Sequence, residues 1–276
     1  AGMVRSVPSV PASPLGATMK VGILAGGLGS RLAEETETKP KPMVEIGGRP
    51  ILWHIMKYYA HFGYKDFAIA LGYKGEVIKR WVVDYANLMT DLSVDFRDGT
   101  VTPISDQGDD DDDWKVTLVD TGQATNTGGR IKRLAPRLGP GTFFLTWGDG
   151  VSTVDLNGLL EFHQSHGRLA TLTAVRPAAR YGHIELDGDR IVEFSEKPQV
   201  GEGWINGAFF VLEQGVVEYI DGDATQFERE PLERLAADGQ LMAYRHADFW
   251  QCMDTIRDKV LLEQLWETKP PWKVWS

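Results

Sequence analysis

Near the start of the chain, Lys20 to Ala25 (KVGILA) is a continuous apolar run that breaks directly into a glycine-rich turn, Gly26-Gly27-Leu28-Gly29. An apolar run without polar alternation reads as a strand buried on both faces, the condition of a parallel sheet covered by helices. The next hundred residues keep that rhythm. Pro50 can open a helix to about His61, with Ile51, Leu52, Ile55 and Met56 on one face. Residues 67–71 read as a second strand, 76–85 as a second helix and 115–119 as another strand. Thr127-Gly128-Gly129 then leads into a helical stretch at 130–138. Residues 142–146 (TFFLT) form the most apolar strand, which ends in Trp147-Gly148-Asp149-Gly150. This alternation predicts an α/β fold with a doubly wound, mostly parallel sheet and right-handed crossovers.

Beyond a helix near 156–166 the links shorten. Residues 170–175, 183–186, 191–195 and 208–212 read as strands, with Asp187-Gly188-Asp189 as a hairpin turn. They would extend the sheet or cap it with antiparallel strands. A last helix, roughly 255–266, carries Ile256, Val260, Leu261 and Leu265 at helical spacing. Residues 1–18, rich in Pro, Ser, Ala and Gly, read as a disordered extension or tag, leaving 19–276 as one domain.

Composition narrows the partners. A formal charge of -10 argues against a nucleic-acid binder, which needs a basic face. No apolar run approaches the roughly 20 residues needed to cross a bilayer. The single cysteine, Cys252, allows no internal disulfide and suits a reducing cytoplasm.

The turn after the first strand, LAGGLGSR, lets backbone amides approach an anion closely, and Arg31 adds a fork of phosphate-directed donors. The bland reading of such a turn is a tight strand-to-helix link. Two familiar phosphate loops are excluded. A Rossmann fingerprint begun at Gly27 requires glycine where Leu32 stands, and no Walker A pattern occurs.

LAGGLGSR followed by KPKPMVEIGGRPILWHI resembles the signature of the sugar-phosphate nucleotidylyltransferases. The likeness continues in order through GYKGEVIK, VTLVDTG, TGGRIKR, GDGV, ATLTAV, FSEKP, INGAFFVL, FWQCMDTIRDKV and LWETKPPWKVW, from Met19 to Trp275. The KPKPMVEIGG wording is similar to the cytidylyltransferase branch, which implies CTP and glucose 1-phosphate as substrates; the alternative is the same reaction with another sugar 1-phosphate or with UTP or dTTP. The resemblance also implies a Rossmann-like, nucleotide-diphospho-sugar transferase fold and Mg²⁺ as cofactor. It further implies a homo-oligomer, a hexamer in the case expected here.

Residue by residue, the resemblance assigns Arg31 and Lys41 to catalytic contacts with the triphosphate. Leu24, Gly26, Gly27, Gly29, Ser30, Thr121, Gly128, Arg130 and Asp149 join them in nucleotide binding, with the region from Thr121 to Arg130 reading the base. Gly182, Glu196, Lys197 and Asn206 match the sugar-phosphate side, and Asp149 with Asp254 match the metal pair. Two carboxylates plus phosphate oxygens make a hard, all-oxygen site that suits Mg²⁺. A catalytically silent, nucleotide-sensing relative would be expected to lose Arg31, Lys41, Asp149 or Asp254, and all four are present.

Several positions depart from the family wording. Five consecutive aspartates at 109–113 read as a solvated loop. His183 follows Arg180-Tyr181-Gly182 where a small residue is expected, Ala208 replaces a glycine, and Cys252 replaces a proline and reads as a packing residue. His163 and His166 share a helix face without an obvious partner and read as surface residues. Trp266, Trp272 and Trp275 read as a tail docked on the core or on a neighbouring subunit.

Overall fold

A computed structural model describes residues 19–27, 29, 32–88, 91–104, 113–177, 183–187, 190–195 and 203–275. Seven strands form the central sheet: β1 (Lys20–Ala25), β2 (Asp66–Leu71), β3 (Lys115–Asp120), β4 (Phe143–Trp147), β5 (Ala170–Val175), β6 (Ile205–Leu212) and β7 (Leu241–His246). Their spatial order is β7-β5-β6-β4-β1-β2-β3. β1 runs parallel to β2 and β4, β2 to β3, and β5 to β7, while β6 is antiparallel to both of its neighbours.

The apolar runs are continuous because both sheet faces are covered. Val21, Ile23 and Ala25 of β1 face a core that includes Ile51, Leu52 and Ile55 of α1 (Ile51–His61), Ile78 of α2 (Gly75–Leu88) and Leu159. Leu24 faces a second core with Ile131, Leu134 and Leu138 of α3 (Thr127–Leu138). α4 (Leu156–His166) starts where the Asp155 side chain accepts from the Asn157 and Gly158 amides, and it stops at left-handed Gly167. α5 (Glu230–Ala237) and α6 (Ile256–Thr268) cover opposite faces through Leu235 and Leu262 respectively.

The tail after α6 docks on the chain's own core. Trp272 is fully buried, and its Nε1 donates to His54 Nδ1 at 3.3 Å. His54 Nε2 then donates to the Ile46 carbonyl at 2.9 Å, so this ring is satisfied as a neutral tautomer. Burial pushes its pKa down to about 4.

Three expectations need correction, and one strand carries no local signal. α3 begins at Thr127, so Gly128 and Gly129 lie inside the helix. A Cβ on Gly128 would stand 2.8 Å from the Thr225 carbonyl, so glycine there permits close helix-to-loop packing. β6 begins at Ile205, upstream of the expected start. β7 has no signature in the sequence: its half-exposed residues lack a continuous apolar run, and it is defined by its pairing with β5. His163 and His166 are not surface residues without partners. His163 is 2% exposed, and both rings reach Thr171 Oγ1 at 2.8 Å. His163 Nε2 also lies 3.2 Å from Glu213.

The 183–187 and 190–195 segments pair as the expected antiparallel hairpin, apart from the main sheet. Its turn residues Gly188 and Asp189 lie outside the described residues, as do 109–112 of the acidic tract. Asp113 pairs with Lys65 at 2.5 Å.

Candidate functional site

Ligands of open α/β sheets sit beyond the carboxyl ends of the parallel strands. Here β1 and β4 end at a cleft of about 350 Å³ lined by Gly26, Lys41, Gln123, Thr127, Trp147 and Asp149, among others. That volume falls in the range of small-molecule pockets, roughly 300–1,000 Å³.

Lys41 opens a single 3₁₀ turn, Lys41–Met43, between Pro40 and Val44. The Met43 amide donates to Pro40 O at 2.8 Å and the Val44 amide to Lys41 O at 3.0 Å. Pro42 and Met43 are buried. The backbone is therefore fixed while the lysine stem points into the cleft. Its Nζ donates to Asp149 Oδ2 and to Asp254 Oδ1, each at 2.5 Å.

The two aspartates meet through a short ladder. Gly150–Ser152 pairs antiparallel with Trp250–Cys252. The Met253 amide extends the pairing by donating to Asp149 O at 2.8 Å. Asp149 also follows Gly148, whose amide donates to Leu24 O at 2.9 Å, which ties the loop to the end of β1.

Asp254 precedes α6 by two residues, and the helix is capped by Thr255 rather than by Asp254. Thr255 and Asp258 form a reciprocal capping box. Asp258 Oδ2 accepts from the Asp254 amide at 3.2 Å, the Thr255 amide at 2.9 Å and Thr255 Oγ1 at 2.8 Å. Gln251 Nε2 donates to its other oxygen at 3.2 Å. Asp258 went unread in the sequence although the Thr-x-x-Asp spacing is a visible signal.

Burial alone would lower the pKa of Lys41, but the charges and hydrogen bonds of Asp149 and Asp254 outweigh it and the net shift is upward. The ammonium stays charged. Cys252 Sγ lies 3.7 Å from Asp254 Oδ2, and burial, reinforced by Asp254 and Asp149, pushes the thiol up to about 12. A protonated thiol is a poor nucleophile, in keeping with a packing role.

The Asp149–Asp254 pair suits a divalent cation, since both carboxylates already turn oxygens onto one positive atom, Lys41 Nζ. Among the described residues, no group of three or more His, Cys, Asp or Glu is arranged so as to hold a metal ion by itself. The remaining ligands would have to be substrate oxygens and water.

Arg130 lines the cleft, but its guanidinium is committed to the scaffold. Nη1 donates to Leu71 O, Thr121 Oγ1 and Gly122 O at 3.0, 2.8 and 2.9 Å, and Nη2 donates to Gly26 O and Gln123 O at 3.0 and 3.3 Å. One side chain thus ties the glycine turn, the end of β2 and the loop after β3. A Cβ on Gly26 or Gly72 would lie 2.3 or 2.4 Å from guanidinium atoms, so a larger residue at either position would push Arg130 off its carbonyl acceptors. Thr121 is fully buried, and its hydroxyl also donates to Leu71 O at 2.7 Å.

Of the expected set, Leu24, Gly26, Gly27, Lys41, Arg130 and Asp149 line the cleft. Gly29 adopts φ 63°, and its carbonyl accepts from the Leu32 amide at 2.9 Å, closing the turn. Ser30, Arg31, Gly182, Glu196 and Lys197 lie outside the described residues. Asn206 sits on β6, where its Oδ1 accepts from the Ala208 amide at 2.8 Å. Trp147 and Glu228 escaped the sequence reading. Glu228 accepts from Trp147 Nε1 at 3.1 Å and from Thr127 Oγ1 at 2.5 Å, joining two walls of the cleft.

Residues 20–258 match the nucleotidyl transferase family model, and the chain belongs to that family. Glucose-1-phosphate cytidylyltransferases of Salmonella typhi and Salmonella typhimurium are each 51% identical to it over 260 residues, 94% of this chain and 100% of theirs. Among solved structures, HddC from Yersinia pseudotuberculosis shares the fold with a TM-score of 0.67, covering 90% of this chain and 99% of its own at 24% identity. Family members generally act with a divalent metal. Among the described residues, no helix is long and apolar enough to cross a membrane.

Proposed function

We propose that this chain transfers the cytidylyl group of CTP to α-D-glucose 1-phosphate, forming CDP-glucose and releasing pyrophosphate. The alignment along the full length of the Salmonella cytidylyltransferases carries this reading. The cleft beyond β1 and β4, lined by Lys41 and Asp149, with Asp254 on the same ammonium, supports it.

A phosphate monoester has a second pKa near 6, so the attacking oxygen is already ionised at neutral pH. The residues need only bring two anions together in line and offset the charge that develops. Lys41 and Arg31 serve the triphosphate. Asp149 and Asp254 hold Mg²⁺, which supplies positive charge at the α-phosphate. The segment around Gln123 and Thr127 frames the base. Gly182, Glu196, Lys197 and Asn206 serve the sugar phosphate, with the lysine ammonium on the phosphate and the carboxylate on hydroxyls.

Residues 19–276 act in this proposal as one nucleotidylyltransferase domain, at work in the cytoplasm and assembled as a homo-oligomer, a hexamer by family likeness. Support for assembly comes from the hairpin of Leu92–Asp95 and Thr100–Pro103. Val94 and Val101 pair on one of its faces and are 45% and 49% exposed, and nearby Phe96 is 94% exposed. A two-stranded hairpin is marginal in water by itself, so a second copy covering this face would stabilise it.

The test is pyrophosphate release with each of four nucleoside triphosphates and several sugar 1-phosphates. CTP with glucose 1-phosphate should dominate, and Asp149→Asn and Asp254→Asn should each lower kcat by orders of magnitude. Turnover with UTP or dTTP alone would overturn the base assignment, and none with any pair would overturn the activity.

A further inference from the structure

Binding phosphate requires of Lys41 a position and a charge, but not two carboxylates. Yet Nζ lies 2.5 Å from both Asp149 Oδ2 and Asp254 Oδ1, with the lysine side chain 13% exposed and the carboxylates 24% and 29%. Two carboxylates turned onto one point repel unless a cation separates them. The ammonium performs that service here. The backbones that carry the carboxylates are tied by the Gly150–Ser152 ladder and by Asp258, and the lysine is a long stem on a short fixed turn. A cation entering between the aspartates competes with the ammonium for the same two oxygens, and the long lysine stem can swing away.

We propose that Lys41 is the resident counter-ion of the metal site, and that metal and triphosphate must arrive together to release it. The inference rests on the reading of Asp149 and Asp254 as metal ligands. A metal ion alone would strand the ammonium without an anion. A triphosphate alone would draw the lysine away and leave the carboxylates unscreened. With both present, the metal takes the carboxylates and the ammonium takes the phosphates. Each ligand therefore strengthens the other's binding by the same factor.

The experiment is a titration with Mn²⁺, followed by paramagnetic resonance, with and without CTP and with no sugar phosphate present. The wild-type chain should bind Mn²⁺ weakly alone and much more tightly with CTP. Lys41→Met should tighten binding of Mn²⁺ alone by roughly ten- to a hundredfold, the scale of one or two charge-assisted contacts. Adding Asp149→Asn should abolish that gain. Lys41→Gln provides a second neutral variant should the first fail to fold. If Mn²⁺ affinity without CTP is unchanged in both lysine variants while Asp149→Asn still weakens binding with CTP, the counter-ion role is overturned and the metal site stands. If neither Asp149→Asn nor Asp254→Asn alters Mn²⁺ binding with CTP, the metal reading falls, and this inference with it.

Discussion

Asp258→Ala separates the capping of α6 from the positioning of Asp254. Asp258 is 8% exposed and accepts from four donors: Gln251 Nε2, the Asp254 and Thr255 amides, and Thr255 Oγ1. Loss of a helix cap costs about 0.5–2 kcal/mol. Donors left without an acceptor add about 1–3 kcal/mol each when fully buried, and less here because water can reach some of them. A total of about 2–4 kcal/mol is expected, a fall in Tm of roughly 4–16 °C at about 2–4 °C per kcal/mol for a chain of this size.

The Asp254 backbone loses one of its anchors in the same stroke, so its carboxylate should wander. Displacements near 1 Å can cost on the order of 100-fold in rate. The variant should therefore show a lower kcat together with a higher Mg²⁺ concentration for half-activation. Asp258→Asn keeps one acceptor oxygen and should recover most of the stability. Thermal unfolding and Mg²⁺ activation curves are the two assays. Unchanged Mg²⁺ activation with a lowered Tm would reduce Asp258 to a helix cap, and an unchanged Tm would refute the energetic reasoning as well.

Two further outcomes follow from particular residues. Ala208 holds φ 61°, a left-handed conformation that costs an L-residue about 1–2 kcal/mol, while glycine gives back about 0.4–1 kcal/mol through its freer unfolded chain. Ala208→Gly should therefore raise stability by about 0.5–1 kcal/mol in urea unfolding, and a lowered midpoint would show that the methyl group packs better than it strains. Burial holds His54 at about 4, and burial with the charges of His163 and Arg168 does the same for His166, against about 6.5 in the unfolded chain. Between those values the unfolded state binds more protons, so stability rises with pH and falls as pH drops from about 6.5 to about 4. Tm measured across that window should decline, and His166→Gln should flatten part of the decline; a flat wild-type profile would contradict the buried neutral rings.

Much of the first half of the fold was legible locally. β1, β2 and β4 are continuous apolar runs because burial on both faces of a parallel sheet leaves no solvent-facing position to alternate. α4 and α6 were equally readable from their spacing. For the site, the motifs pointed to Lys41, Asp149 and Asp254 through family likeness, and the structure brings these three into contact.

Other features are decided by partners distant in sequence, and residue type does not encode a partner. β7 has no strong pattern of its own and becomes a strand because β5 offers it a ladder. Arg130 falls in the expected base-reading segment, and only the fold shows that glycines at 26 and 72 admit its guanidinium among backbone carbonyls. His163 and His166 are drawn inward by Thr171 and Glu213, which lie on other elements. The sequence by itself determined which segments must be buried and which residue types could meet phosphate and metal, because hydrophobic burial and side-chain chemistry are local properties. Only the tertiary structure decided that a lysine stands between the two aspartates and that an arginine is spent on holding loops, because hydrogen bonds and ion pairs depend on which distant groups the folded sheet brings within reach.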